Sequence, residues 1–346
     1  MPKCDAVFQG GGVKGTGFAG AVMVLEQAGY EFENIVGTSV GAIVAALLAA
    51  GYSGAEIHEE MMRLDYKKFL DASWLVKRFH TTKIVNIVSK WGIYRTDAFE
   101  AWLSGLLEKK GKLCFRDIRT SLPDEKYRYR FQAIASDITD KTVLLLPGDL
   151  AEFGIDPDGF PIAKAVRMSM SIPFYFEPYR LKNRTTGKEH VIVDGGLLSN
   201  YPVWVLDDGS VNPTMPTFGF KFGSDNQLPR KRDHGNTLIG FTKSIISTLM
   251  SAWDNRHISE SRGDLARTIL ISTAIDSNGK RKVVGTTEFD ISDDEKEQLF
   301  ENGRAAARKF LAGWDFGKWK KQFRENTVSV QGRSQWDCKL APSKVY

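Results

Sequence analysis

The sequence predicts an α/β fold with a mostly parallel central sheet that is mixed at one edge. Three observations predict it. Short apolar strands alternate with helical stretches through residues 5–50, the order of neighbouring parallel strands joined by a right-handed crossover. Residues 42–50 are apolar nearly all round, as a helix buried in the middle of a fold is. Residues 127–135 alternate with period two, turn at Asp137-Ile138-Thr139-Asp140-Lys141 and return at 142–146, which places an antiparallel pair at the edge.

Taken in order, the expected elements are a strand at 5–8, a glycine-rich loop, a helix at 16–28, a strand at 32–36, a tight turn and the apolar helix at 42–50. Residues 56–107 read as helical and are rich in aromatics, with Trp74, Phe79, Trp91, Tyr94, Phe99 and Trp102. Two readings fit these rings: anchors of helices to the core, which is the expected one, or a cap over a lipid pocket. After the antiparallel pair, a helix at 161–170 is stopped by Pro173, and a short buried strand at 190–193 ends in Asp194-Gly195-Gly196. Further strands are expected at 218–222 and 268–272. Ser292-Asp293-Asp294-Glu295 is a capping box that opens a helix to about residue 311.

With 346 residues, 42% hydrophobic and 26% charged, the chain has the apolar material for one large α/β domain, and no repeat or low-complexity linker divides it. The start of the sequence lacks the features of a secretory signal, and the run at 42–50 is too short to span a bilayer. Cys4, Cys114 and Cys338 are isolated thiols without C-x-x-C spacing, which argues against a disulfide framework or a cysteine zinc site and fits a reducing cytoplasm. No metal or cofactor is expected. The net charge of +5 favours anionic surfaces mildly, but basic residues are interspersed with acids and no nucleic-acid motif occurs, so nucleic acid is not an expected partner.

The chemistry-bearing motifs lie early. Gly10-Gly11-Gly12-Val13-Lys14-Gly15 follows the first strand, and Gly37-Thr38-Ser39-Val40-Gly41 follows the second. A G-x-S-x-G turn between strand and helix exposes a serine hydroxyl at a strained corner, ready to attack a carbonyl. Consecutive glycines let backbone N–H groups face the oxygen that becomes negative, so Gly10, Gly11 and Gly12 are the candidate oxyanion hole, with Gly11 and Gly12 as the expected donors. Lys14 either braces the loop through its carbonyls or is a solvated lysine at a helix start. The same glycines satisfy G-x-G-x-x-G, but a dinucleotide site wants an acid at the end of the second strand, and Thr38-Ser39 stand there while Glu31 and Glu33 lie at its other end. A P-loop fails because no Lys-Ser or Lys-Thr pair follows Gly15.

Ser39 needs a base. Among His58, His80, His190, His234 and His257, only His234 and His257 follow Asp194 in the order of an α/β-hydrolase, and they lie in a polar loop and near a helix end. Asp194, at a strand end before two glycines, is the stronger candidate, with a turn aspartate satisfied by its own backbone as the alternative.

Together, the glycine loop, the Ser39 elbow and Asp194-Gly195-Gly196, in that order, resemble the patatin-like phospholipases, and the resemblance continues through Ser169-Met170-Ser171-Ile172-Pro173 and Leu197-Leu198-Ser199-Asn200-Tyr201-Pro202. It covers residues 5–205, and more weakly reaches 312. It implies a three-layer α/β/α domain over 1–312 and a Ser39/Asp194 dyad without histidine. The glycine loop would be the oxyanion hole, supported by Lys14, Gly15, Gly37, Gly41, Gly195 and Gly196. Met170 is bulkier than the family's small residue, which bears on local pocket shape. The implied function is lipid acyl hydrolysis of phospholipid or lysophospholipid esters, with an acyl transferase or thioesterase on the same dyad as the alternative and a nucleotide-binding protein as a distant one.

Two further segments carry paired readings. Leu238, Phe241, Ile245, Leu249 and Trp253 form a helical apolar stripe, expected as core packing, with an acyl channel as the alternative. In the segment 313–346, Trp314, Phe316, Trp319 and Phe323 interleave with Lys318, Lys320, Lys321 and Arg324. The expected arrangement is a helix docked on the domain with its basic face in solvent; peripheral contact with an anionic membrane is the alternative. Oligomeric state is not indicated.

Overall fold

A computed structural model describes residues 1–66, 91–223, 248 and 262–325, apart from the single positions 123, 208, 211 and 278. Its main sheet runs β10 (Thr268–Ser272), β9 (Thr217–Gly223), β1 (Lys3–Phe8), β2 (Glu31–Thr38), β4 (Phe131–Asp137), β8 (Glu189–Asp194), β7 (Tyr179–Lys182), with β5 (Thr142–Leu146) also paired to β4. The strands from β10 to β4 are parallel, while β5, β8 and β7 join antiparallel at one edge. This is the α/β architecture the alternation of elements predicts.

Both faces of the central strands are buried. Along β1, Ala6 and Phe8 enter the main core with α1 (Thr16–Gln27), while Val7 turns to the other face with Val36, Ile134 and the Tyr201–Leu206 segment. Period two in a strand buried on both sides gives this division. On the first face, α2 (Val40–Ala49) is buried at every position because its residues are apolar on all sides. The capping box of Ser292 and Glu295 opens α7 (Asp293–Gly313), which packs along α1. Between them a close backbone approach needs glycine, since a Cβ on Gly20 would meet the Phe300 carbonyl and one on Gly303 the Gly17 carbonyl.

The segment expected as helical at 56–107 is not helical throughout. It contains α3 (Gly54–Met62) and α4 (Asp97–Lys109), but residues 92–94 form β3 (Gly92–Tyr94), paired in parallel with β6 (Phe174–Phe176) in a separate two-stranded sheet. Phe99 is in the core and Trp102 packs against it, whereas Trp91 is 45% exposed; Trp74 and Phe79 lie outside the described residues. The strand expected from residue 127 begins only at Phe131. Its forerunner is held elsewhere, with the Arg130 N–H donated to the Ile118 carbonyl at 2.9 Å and Thr120 N–H to that of Arg128 at 3.0 Å.

At the other end of the chain, α6 (Arg262–Ala266) receives α8 (Phe316–Lys320): Trp319 is buried and its Nε1–H donates to the Gly263 carbonyl at 2.9 Å. The guanidinium carbons of Arg267 and Arg324 lie 5.4 and 4.6 Å from its ring centroid, and both arginines pair with Asp207. A hairpin of β11 (Ala274–Ser277) and β12 (Lys280–Val283) precedes α7. The apolar stripe at 238–253 lies outside the described residues, save Thr248.

Candidate active site

Ser39 forms the corner between β2 and α2, with φ 54° and ψ −124°. A non-glycine residue takes left-handed φ only where its surroundings over-determine it. Here the turn folds tightly on itself and on β1: a Cβ at Gly37 would meet the Gly41 carbonyl, and one at Gly41 the carbonyls of Phe8 and Gln9. With both glycines the corner closes, and Ser39 is carried to the N-terminus of α2, where the helix dipole favours negative charge. Its own N–H donates to Ser169 Oγ at 2.9 Å, from the last residue of α5 (Ile162–Ser169).

Asp194 reaches the same place through the sheet. β5 occupies one edge of β4 along Ala133–Asp137, so β2 and β8 must share the other edge. They enter it from opposite directions: Thr38 is level with Ile134, and Asp194 with Ala135. The C-terminal ends of β2 and β8 therefore meet head to head on consecutive residues of β4, about 3.8 Å apart along that strand. Gly195 follows, so close to the Ile134 carbonyl that a Cβ would collide with it.

Asp194 is 1% exposed. Its Oδ1 accepts the Gly196 N–H at 2.7 Å, while Oδ2 is sealed from solvent and no hydrogen bond of standard geometry reaches it from the described residues. Burial raises its pKa to about 6, against the opposing pull of the Ser39 hydroxyl and the Gly196 amide. The group is thus a carboxylate at neutral pH yet a stronger base than an ordinary aspartate.

The glycine loop completes the surround. A Cβ on Gly10 would lie at van der Waals distance from Ser39 Cβ, which places this loop against the serine. The Gly10 N–H is committed to the Asn200 carbonyl at 3.0 Å, so Gly10 fixes the loop and is not an amide donor to an oxyanion. No acceptor among the described residues takes the N–H of Gly11 or Gly12. Gly12 has φ 63° and lies under the Thr286 carbonyl, a position only glycine fills without collision. Lys14 Nζ lies 4.8 Å from the Phe222 ring centroid, and Gly15 packs against Met61 and Val40.

Neither described histidine enters this site. His190 Nδ1 pairs with Asp137 at 2.7 Å, four residues back along β8 or about 13 Å from Asp194. His58 pairs with Glu297 at 2.9 Å and stacks on Phe300. His80, His234 and His257 lie outside the described residues. Asp137, Asp140 and His190 bring acceptor atoms within 4.8 Å of one another, but their oxygens already take the amides of Thr139 and Asp140 and the ammonium of Lys188.

Two serines of the proline block do structural work at the site that motif reading alone did not assign. Ser169 Oγ holds the Ser39 amide, and the Ser171 carbonyl accepts the Asp194 N–H at 2.9 Å. Their spacing before Pro173 was the only signal in the sequence.

The structure thus brings together a serine at a strained strand-to-helix corner, a glycine loop whose Gly11 and Gly12 amides have no acceptor among the described residues, and a buried carboxyl group. The sequence model of the patatin-like phospholipases matches residues 6–207, and the chain belongs to that family of lipid acyl hydrolases. YqhO of Bacillus subtilis (strain 168), an uncharacterized protein, is 36% identical over 312 residues, 90% of this chain and 99% of YqhO. The uncharacterized R571 of Acanthamoeba polyphaga mimivirus is 27% identical over 313 residues, 86% of this chain and 90% of R571. Among solved structures, VipD from Legionella pneumophila shares the fold with a TM-score of 0.51 at 18% identity, over 89% of this chain and 66% of VipD.

Proposed function

We propose that this chain cleaves fatty-acyl esters of phospholipids and lysophospholipids through a Ser39/Asp194 dyad and an acyl-enzyme. Asp194 takes the Ser39 proton as Oγ bonds to the ester carbonyl carbon. The carbonyl oxygen, now negative, faces the Gly11 and Gly12 amides and the N-terminus of α2. Collapse breaks the ester bond, and the proton passes from Asp194 to the departing alkoxide. Water then attacks the acyl-serine with Asp194 taking its proton, and that proton passes to Ser39 Oγ as the acyl–oxygen bond breaks and the fatty acid leaves.

The observation that carries this reading is the meeting of β2 and β8 on one edge of β4, which sets the buried Asp194 carboxyl at the Ser39 corner. Lipid ester substrates follow from the family; the ester position and head group belong to the proposal. No helix among the described residues is long and apolar enough to cross a membrane. The test is mass spectrometry of a mixed phospholipid and lysophospholipid digest. Wild type should release free fatty acid and Ser39→Ala should not. Acyl chains appearing on an acceptor lipid would instead make the protein a transferase, and full release by Ser39→Ala would refute the dyad.

A further inference from the structure

Five contacts link a group of aromatic side chains to the site. Residues 169–174 run from Ser169, on the nucleophile's amide, past Ser171, on the Asp194 amide, to Phe174, no more than about 10 Å of chain beyond Ser171. On the other side, the Thr286 carbonyl accepts the Val13 N–H of the glycine loop at 3.3 Å, and Phe289, three residues on, stacks on Tyr175 at 5.2 Å. Tyr175 also meets Tyr94 at 5.5 Å. The β3 and β6 ribbon is thus tied through neighbouring chain to the glycine loop on one side and to Asp194 on the other.

Two residues of this ribbon break the ordinary rules of both burial and backbone. Phe174 is 44% exposed with φ 63°, and Trp91, the residue before its register partner Gly92, is 45% exposed with φ 61°. Left-handed φ is an outlier for bulky aromatics and costs of order 1–3 kcal/mol per residue, and neither exposed ring recovers that by burial. Arg180, which also pairs with Glu189 at 2.5 Å, lies 4.7 Å over the Trp91 ring, so a guanidinium accompanies the apolar faces. Exposed Trp and Phe with Tyr behind them and arginine beside them is the composition of a membrane–water interface, and the chain's net charge of +5 suits anionic lipid.

We propose that Trp91 and Phe174 are the seat of this protein on a lipid surface, dipping into the headgroup region so that the site mouth opens onto the substrate bilayer. The occupant follows from continuity with a site that takes lipid esters, so the inference rests on the proposed function. It differs from contact through the basic segment after residue 313, whose Trp319 is buried in the protein.

Glycine is the informative substitution, because it accepts positive φ without penalty and removes the ring. Trp91→Gly/Phe174→Gly should therefore melt no lower than its parent. In a Ser39→Ala background, flotation with phosphatidylcholine vesicles containing phosphatidylglycerol should show the double variant bound roughly tenfold less or weaker still. In the active background, hydrolysis of those vesicles should fall to a similar extent, while turnover of a monomeric short-chain ester stays within about twofold. Flotation equal to that of the Ser39→Ala parent would overturn the seat, as would equal losses on vesicle and monomeric ester, which would put the rings in the acyl subsite. Because flotation uses the inactive protein, it decides the seat even if Ser39→Ala retains hydrolysis and the catalytic reading fails.

Discussion

At the scale of single residues, the consequential feature is a carboxylate sealed from water beside a hydroxyl. An aspartate whose pKa is raised by folding keeps its proton longer in the native than in the unfolded chain, so native stability is greatest at acid pH and falls as pH rises through that window. For Asp194 the window runs from 3.8 to about 6, equivalent to about 3 kcal/mol at neutral pH. Asp194→Asn should thus be more stable than wild type at pH 7, with the difference vanishing near pH 4 in urea melts. A variant less stable than wild type at pH 7 would show that the burial cost has been misread. Asp5 titrates in the same direction, with a pKa raised to about 6, so the comparison must be with Asp194→Asn and not of wild type across pH alone. Catalysis runs the other way: a base must be unprotonated, so ester turnover should climb with pH through about 6 and then level. Ser169 gives a separate test. Ser169→Ala leaves the Ser39 amide buried without an acceptor, at about 1–3 kcal/mol. It should lower kcat by roughly tenfold or more with KM unchanged on a soluble ester, and Ser169→Thr, which keeps the hydroxyl, should recover most of it. An equal rise in KM would point to a substrate contact instead.

Elements explain what could be read before the structure and what could not. The glycine loop and the Ser39 corner are local: each is a short run between a strand and a helix, so spacing and residue type suffice to place them. Gly10 shows the limit of that reading, because its amide is committed to the Asn200 carbonyl, nearly the length of the family domain away in sequence. The convergence of Asp194 on Ser39 is likewise non-local. It depends on β8 running antiparallel along the edge of β4 that β2 vacates, a choice of direction that no hydrophobic period encodes. β3 and β6 escaped notice because each is three residues long, too short for alternation to show among aromatic-rich neighbours. The elbow helix α2 was legible for the opposite reason, since ten consecutive apolar and small residues admit few alternatives to a buried helix.

At the scale of the whole molecule, the sheet gathers every chemical part at the C-terminal ends of β1, β2 and β8, and distant chain closes the frame around them. Trp319 of α8 bonds to Gly263, and Arg324 beyond it pairs with Asp207, so residues past the stretch that carries the motifs are tied into the domain. Trp319→Ala should therefore cost about 3–5 kcal/mol and lower the melting temperature, with kcat on a soluble ester nearly intact; an unchanged melting temperature would mean that this segment is not part of the folded unit. The central claim, that Asp194 deprotonates Ser39, is tested most directly by the rate at which a fluorophosphonate modifies the protein, with the labelled residue identified by mass spectrometry. The account predicts modification of Ser39 in wild type and a rate roughly 10²–10⁴-fold slower in Asp194→Asn. Labelling of Ser39 in Asp194→Asn at the wild-type rate, or labelling of another residue in wild type, would contradict it.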